Sequence, residues 1–245
     1  AVWNAVLLDL VLAEPGITLL LDTAVDALTM ASADRIAAVS AYCSISETRH
    51  QIAARLFADC SGDSILGGLS GADFRIGKEG RDEFGEPTAP AKADPRCLGA
   101  SLYFYSHDVG REVPFVTPKC AVDVSKAYRI RHANYDGHIH GCRLWWLEYG
   151  GHLDTIGDAA EIKRTLTGIA YGFWDYLKNS GRFPETKTLD LEWIGPMPGK
   201  RESRRLMGPH ILTKHDLFAQ PDFADSCATG GWTIECWPSA FRPNV

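Results

Sequence analysis

The chain has 245 residues, of which 45% are hydrophobic and 23% charged, and its formal net charge is −6. That length accommodates one large domain or two small ones, and the balance is that of an ordinary globular protein. The acidic balance gives no basis for general affinity to nucleic acid or anionic membrane, and no apolar run approaches the roughly 20 residues of a membrane-spanning helix.

The chain opens Ala-Val-Trp rather than with methionine and closes on Phe-Arg-Pro-Asn-Val. Both ends read as cut. Residues 2–13 read as an apolar helix closed by Pro15-Gly16. Residues 17–21 and 23–30 read as strands. So do Ile36 to Cys43 and His50 to Asp59, separated by a polar stretch from Ser44 to Thr48. Cys60-Ser61-Gly62-Asp63-Ser64 is a turn. A short helix with apolar Ile65, Leu66 and Leu69 follows and stops at Gly71.

From Gly77 to Pro95 the composition turns to Gly, Pro, Glu, Asp, Lys and Ala, which marks an excursion or boundary. Leu98 to Tyr105 and 138–149 read as strands. The clearest helix spans about 159–178. Asp158 and Glu161 have capping-box spacing, and Ile162, Leu166, Ile169, Phe173 and Leu177 form one apolar face. Asn179-Ser180-Gly181 ends it. Leu189 to Ile194 is a strand, Ile211 to Thr213 is strand-like, and Ala228 to Trp237 is a last strand.

The most informative stretch is Gly199-Lys200-Arg201-Glu202-Ser203-Arg204-Arg205, with five charges in six positions from Lys200 onward. In an extended segment Arg201, Ser203 and Arg205 point one way and Lys200, Glu202 and Arg204 the other. Guanidinium forks suit planar, delocalised anions. A solvated basic strand edge has the same pattern. The turn at Ser61-Gly62-Asp63, between an apolar strand and a helix start, is where open α/β sheets present ligand sites, and an ordinary strand–helix turn reads the same way.

Small residues at Thr23-Ala24-Val25 allow a backbone to pair with a flat ring edge, or simply a core strand. His138, His140 and Cys142 share one face of a strand, but no fourth ligand is evident, and packed or solvated histidines remain the commoner case. No metal is assigned. Trp145 and Trp146 suit stacking on a sugar or a ring, and equally a core. His210 and His215 flank the charged segment as proton acceptors or surface residues. The seven cysteines are odd in number and irregularly spaced, which suits reduced thiols in a cytoplasmic setting.

Taken in order, several segments carry a resemblance: Thr23-Ala24-Val25, Leu56 to Asp63, Ala72 to Gly77, Phe84-Gly85-Glu86, Trp145 to Gly151, Pro198 to Arg205 and Ala228 to Ile234. Together they resemble a FAD-dependent oxidoreductase of the bacterial family that has a glutathione-reductase-like flavin domain and an inserted substrate domain. The resemblance implies an α/β (α+β mixed) fold, with a partial FAD-binding Rossmann-like domain over 1–76. A mixed-sheet substrate domain would span 77–206, and 207–245 would return toward the flavin domain.

It also implies FAD as cofactor. Val25 matches the position whose backbone meets the adenine, and Ser61, Gly62 and Asp63 match a turn beside the FAD. Arg201, Glu202, Arg204 and Arg205 match a charged element near flavin or substrate. The family's opening strand, G-x-G-x-x-G loop and ribose-binding acid would lie upstream of Ala1, and its closing strand and helix beyond Val245. The chain then reads as the middle of a flavoenzyme that oxidises a small hydroxylated or amine substrate. It would be inactive alone and would self-associate through uncovered sheet edges. The other reading is a non-catalytic module binding an anion or a carbohydrate.

Overall fold

The computed structural model describes residues 2–125 and 147–231. Contacts divide the chain into two units, Ala1–Phe74 and Arg75–Val245. The protein is an α/β combination of helices and small antiparallel sheets.

In the first unit, helix α1 (Val2–Leu12) buries none of its residues, so its apolar side chains lie on the surface. Residues 17–21 are not a strand, contrary to the sequence expectation. Hydrophobic, β-prone residues become a strand only where a neighbour completes the ladder. Here Leu21 offers its carbonyl to Cys43 Sγ (3.8 Å) and to Thr23 Oγ1 (2.7 Å) instead.

A three-stranded antiparallel meander follows: β1 (Thr23–Ser32), β2 (Arg35–Cys43) and β3 (Thr48–Ala53), in that spatial order. The pair Cys43↔Thr48 closes the β2–β3 turn, where Glu47 has φ 54°. β3 ends at Ala53, so the stretch from Leu56 to Cys60 is irregular rather than a strand running into the turn. Helix α2 (Ile65–Ser70) packs on β1 and stops at Gly71 (φ 76°), the left-handed position that glycine adopts most readily.

The boundary between the units falls within β4 (Phe74–Arg75), and α3 (Arg81–Phe84), β5 (Ala100–Leu102) and β6 (Phe104–Asp108) follow. β7 (Leu147–Tyr149) pairs with β5. The long helix α4 (Ala159–Asn179) and a 3₁₀ turn (Pro184–Thr188) lead to β8 (Leu189–Ile194), which pairs with β6. Strand β9 (Arg205–Leu206) and α5 (Lys214–Ala219) complete the described elements.

α4 buries Ile162, Leu166, Ile169, Phe173, Trp174 and Leu177 against Leu102, Phe104, Val124 and Leu189. Each such side chain contributes about 1.5–3 kcal/mol of hydrophobic stabilisation. At the helix end, Lys178 Nζ donates to the carbonyls of Thr186 (2.8 Å), Lys187 (3.0 Å) and Leu189 (2.8 Å), which fixes the 3₁₀ turn to α4.

Two local readings are corrected. The Asp158–Glu161 capping box does not form. Asp158 Oδ2 accepts from the Asp154 amide (3.1 Å), and Glu161 binds Arg164 and Thr165. Residues 211–213 are not strand-like but lead into α5, where Thr213 and Asp216 form the capping box that the sequence reading missed. The His138, His140 and Cys142 cluster, Trp145, Trp146 and most of the proposed final strand lie outside the described residues.

Candidate functional site

In the first unit, Val25 lies on β1, an edge strand of the meander, opposite Ala41. The register slips between Val25 and Ala27, so Asp26 is an extra residue, as in a β-bulge. The Asp26 carboxylate accepts from Arg49 Nη1 at 2.8 and 2.9 Å, and the same nitrogen reaches Ser40 Oγ (3.0 Å). This ion pair ties β1 to β3 across β2 beside Val25.

The Ser61-Gly62-Asp63 turn is organised by Asp59, a residue that the sequence reading quoted without a role. Asp59 Oδ1 accepts from the Ser61 amide (3.0 Å) and hydroxyl (2.6 Å), and Oδ2 accepts from the Leu66 amide (2.7 Å) and, more weakly, that of Gly67 (3.4 Å). The Ser61 hydroxyl in turn accepts from the Ile65 amide (3.1 Å). The amides that open α2 are therefore already engaged by the protein's own side chains, and a phosphate would have to displace them. The Asp-x-Ser spacing, a side-chain turn signature, is the signal that marks Asp59.

Gly62 holds φ +80°, and an added Cβ would meet nothing within 4 Å, so glycine is needed there for its backbone angle rather than for space. Partial burial pushes the Asp59 carboxyl up. The hydrogen bonds from Ser61, Leu66 and Gly67 outweigh it and hold the group below its ordinary 3.8. Stability from this cap is thus fully present above about pH 3.8 and is lost as pH falls through the lower folded value. We expect the Leu66 amide to keep constant hydrogen-exchange protection free energy from neutral pH down to about 5 and to lose it in acid. Asp59→Asn should lack that acid step.

In the second unit the charged segment is strapped to β5. Ser101 and Gly199 exchange backbone hydrogen bonds of 2.9 and 2.8 Å, which places the segment on the side of β5 away from β7. Arg201 Nη1 forms an ion pair with Glu148 Oε1 on β7. Glu202 Oε2 accepts from the Leu98 amide (2.7 Å), and its carbonyl accepts from Thr155 Oγ1 (3.0 Å). Arg205 Nη2 donates to the Gly77 carbonyl (2.6 Å) and to Glu79 Oε1 (2.8 Å).

The shared arginine face expected from strand alternation is absent. Ser203 is buried, while Arg201 and Arg205 are exposed and reach different carboxylates. Hydrogen bonds from the Gly157 and Ile156 amides lower the Asp154 carboxyl, and the charges of Arg204 and Lys200 lower it further. The cations of the segment are thus matched by Glu148, Glu79 and Asp154. Burial raises the Glu79 carboxyl, but the Arg205 and Arg75 guanidiniums bring it below its usual range.

The second half of the Leu147 to Gly151 segment is explained by close approach. The Cys97 amide donates to the Gly151 carbonyl (2.8 Å), and a Cβ on Gly151 would overlap the carbonyl oxygen of Cys97. His210 Nε2 lies 3.2 Å from Asp216 Oδ2, the carboxylate that also caps α5, and His215 Nε2 lies 3.2 Å from the Phe84 carbonyl.

Cys43, Cys60, Cys97, Cys120 and Cys227 are free thiols. No helix among the described residues is long and apolar enough to cross a membrane.

FAD asks of these residues a backbone edge for its adenine and a turn with room for its phosphates. The edge strand carrying Val25 presents a backbone edge and the Gly62 turn is open, while the first amides of α2 are committed to Asp59 and Ser61. Comparison with curated proteins and with solved structures gives no match. The family described as FAD dependent oxidoreductase matches residues 1–243. The chain therefore belongs to the FAD-dependent oxidoreductase family.

Proposed function

We propose that the chain serves an enzyme that oxidises a small hydroxylated or amine substrate by hydride transfer to FAD, within the oxidoreductase function that its family carries. The family match over residues 1–243 is the observation behind this reading. When bound, the flavin supplies the two-electron acceptor. The backbone at Val25 meets the adenine, and the turn at Ser61, Gly62 and Asp63 lies beside the FAD. Arg201, Glu202, Arg204 and Arg205 belong to the substrate and flavin-ring side. There the Glu202 strap orients the chain, and the paired guanidiniums stabilise negative charge as it develops. Free thiols support a cytoplasmic setting, and the exposed apolar surface of α1 supports self-association.

Flavin binding tests the reading. FAD is titrated into the chain as it stands and into a form extended upstream of Ala1, with flavin fluorescence and absorbance followed. Saturable quenching in the extended form supports the proposal, and its absence in both forms overturns it. In the flavin-loaded protein, Arg201→Ala should lower kcat/KM by about tenfold or more, the scale of one lost charged contact to a transition state. Its Tm should move by only a few degrees. A loss confined to Tm would make the Arg201–Glu148 pair purely structural.

A further inference from the structure

The outer face of the β6–β8 ribbon carries a group of residues that neither the charged strap nor the flavin reading uses. Strand alternation buries Phe104 and Ser106 and leaves Tyr105 and His107 outside. On β8 the register jumps from Tyr105↔Trp193 to Ser106↔Leu191, so Glu192 is an extra, bulged residue. A bulge breaks alternation, and both Glu192 and Trp193 consequently face solvent. Asp190 stands directly opposite His107 and is exposed. Directly opposed residues share a face.

The rings form a compact group. Tyr105 stacks on Trp193 (centroids 5.4 Å, planes 27° apart), and Tyr103 meets both, at 5.7 and 5.6 Å. They remain 40–46% exposed, so their ring faces are partly open to a ligand. An open surface depression of about 520 Å³ is lined by Tyr105, Ser106, His107, Glu192 and Trp193. That volume falls within the range of small-molecule sites. His107 Nδ1 lies 3.7 Å from Glu192 Oε2.

Charge identifies the ligand. Electron-rich ring faces attract cations, tryptophan most strongly. The two carboxylates, Asp190 and Glu192, add attraction of the same sign and oppose an anion. The cation that acts on Asp190 is Lys178, whose ammonium is already held by three backbone carbonyls. An apolar protein partner would have to desolvate both carboxylates, a cost of several kcal/mol. From this juxtaposition we propose that the Tyr103–Tyr105–Trp193 face, with Asp190 and Glu192, binds the ammonium group of a small organic cation. The site lies wholly in the second unit and does not depend on flavin.

Choline chloride is the probe, titrated calorimetrically into the purified chain. 3,3-Dimethylbutan-1-ol, its uncharged isostere, and sodium chloride at matched ionic strength are the comparison arms. Choline should bind saturably and about tenfold or more tighter than the isostere, the scale of cation–π attraction from more than one ring. Glu192→Gln should weaken binding about threefold to tenfold, as expected for one partly solvated charge. Trp193→Leu should abolish binding. Should Trp193→Leu fail to fold, the Glu192→Gln and isostere arms still decide. Equal affinity for choline and its isostere, undiminished binding in Glu192→Gln, or no saturation up to about 50 mM choline overturns the proposal.

Discussion

Gly172→Ala is expected to destabilise the second unit by about 3 kcal/mol, lowering its Tm by roughly 10 °C. Two effects compete at this position. Alanine is the better helix former by about 1 kcal/mol, so an exposed helix would gain from the change. On α4, however, the added Cβ would overlap the carbonyl oxygen of Val122. Gly168, one turn earlier, is similarly crowded, with the Cys120 carbonyl oxygen 2.6 Å from an added Cβ, and its own carbonyl accepts from the Val122 amide (2.9 Å). The segment 120–122 therefore lies against the helix backbone itself, and Val124 just beyond it is part of the core. Moving the segment away would break that hydrogen bond and loosen the packing of Val124, so the steric cost outweighs the propensity gain. Thermal melting checks this directly. A variant that melts at or above the parent temperature would show that the segment does not sit on α4.

Glu202→Ala is expected to cost about 2 kcal/mol. The Glu202 carboxylate is the acceptor for the Leu98 amide, a contact spanning 104 positions of sequence. Hydrogen bonds to charged acceptors are among the stronger ones, and removing the acceptor leaves a partly buried amide without its partner. The strap should then loosen where it meets β5, at the Ser101–Gly199 bridge. Amide exchange of Leu98 and Gly199 should quicken together, and Glu202→Gln, which keeps an acceptor oxygen, should recover most of the protection. Unchanged exchange at Leu98 in the alanine variant would mean that the carboxylate does not hold the strap. Arg201 is aimed at Glu148 from a backbone whose position Glu202 and Gly199 set.

Residues near in sequence explain what could be read early. α4 announces itself by apolar residues three and four apart, and that face is the one buried. The strands β1 and β2 and the stop of α2 at Gly71 follow from alternation and from glycine's backbone freedom. The Ser61–Gly62–Asp63 turn was legible as a turn. That Asp59 would spend its carboxylate on the turn and on the amides of α2 was readable only from the Asp-x-Ser spacing, which competes with the helix-start anion pattern.

The α5 helix escaped because its capping box uses Asp216 in place of the commoner glutamate, beneath the short apolar run Ile211-Leu212. Asp158 and Glu161 had the usual spacing and still made no box, since Asp154 offered Asp158 a nearer partner.

By itself the sequence determined the amphipathic helix α4, the strands β1 and β2, the turns at Gly62 and Gly71, and the ordered segments that carry the family resemblance. All of these depend on residues within a few positions of one another. Only the tertiary structure decided that Arg201 would face Glu148, that Arg205 would face Glu79, and that Glu202 would bind Leu98. It alone brought three aromatic rings and two carboxylates onto one ribbon face. Charge pairing and close backbone approach act over a few ångströms of space, and separations of 53 to 126 positions leave no local pattern from which such contacts could be read.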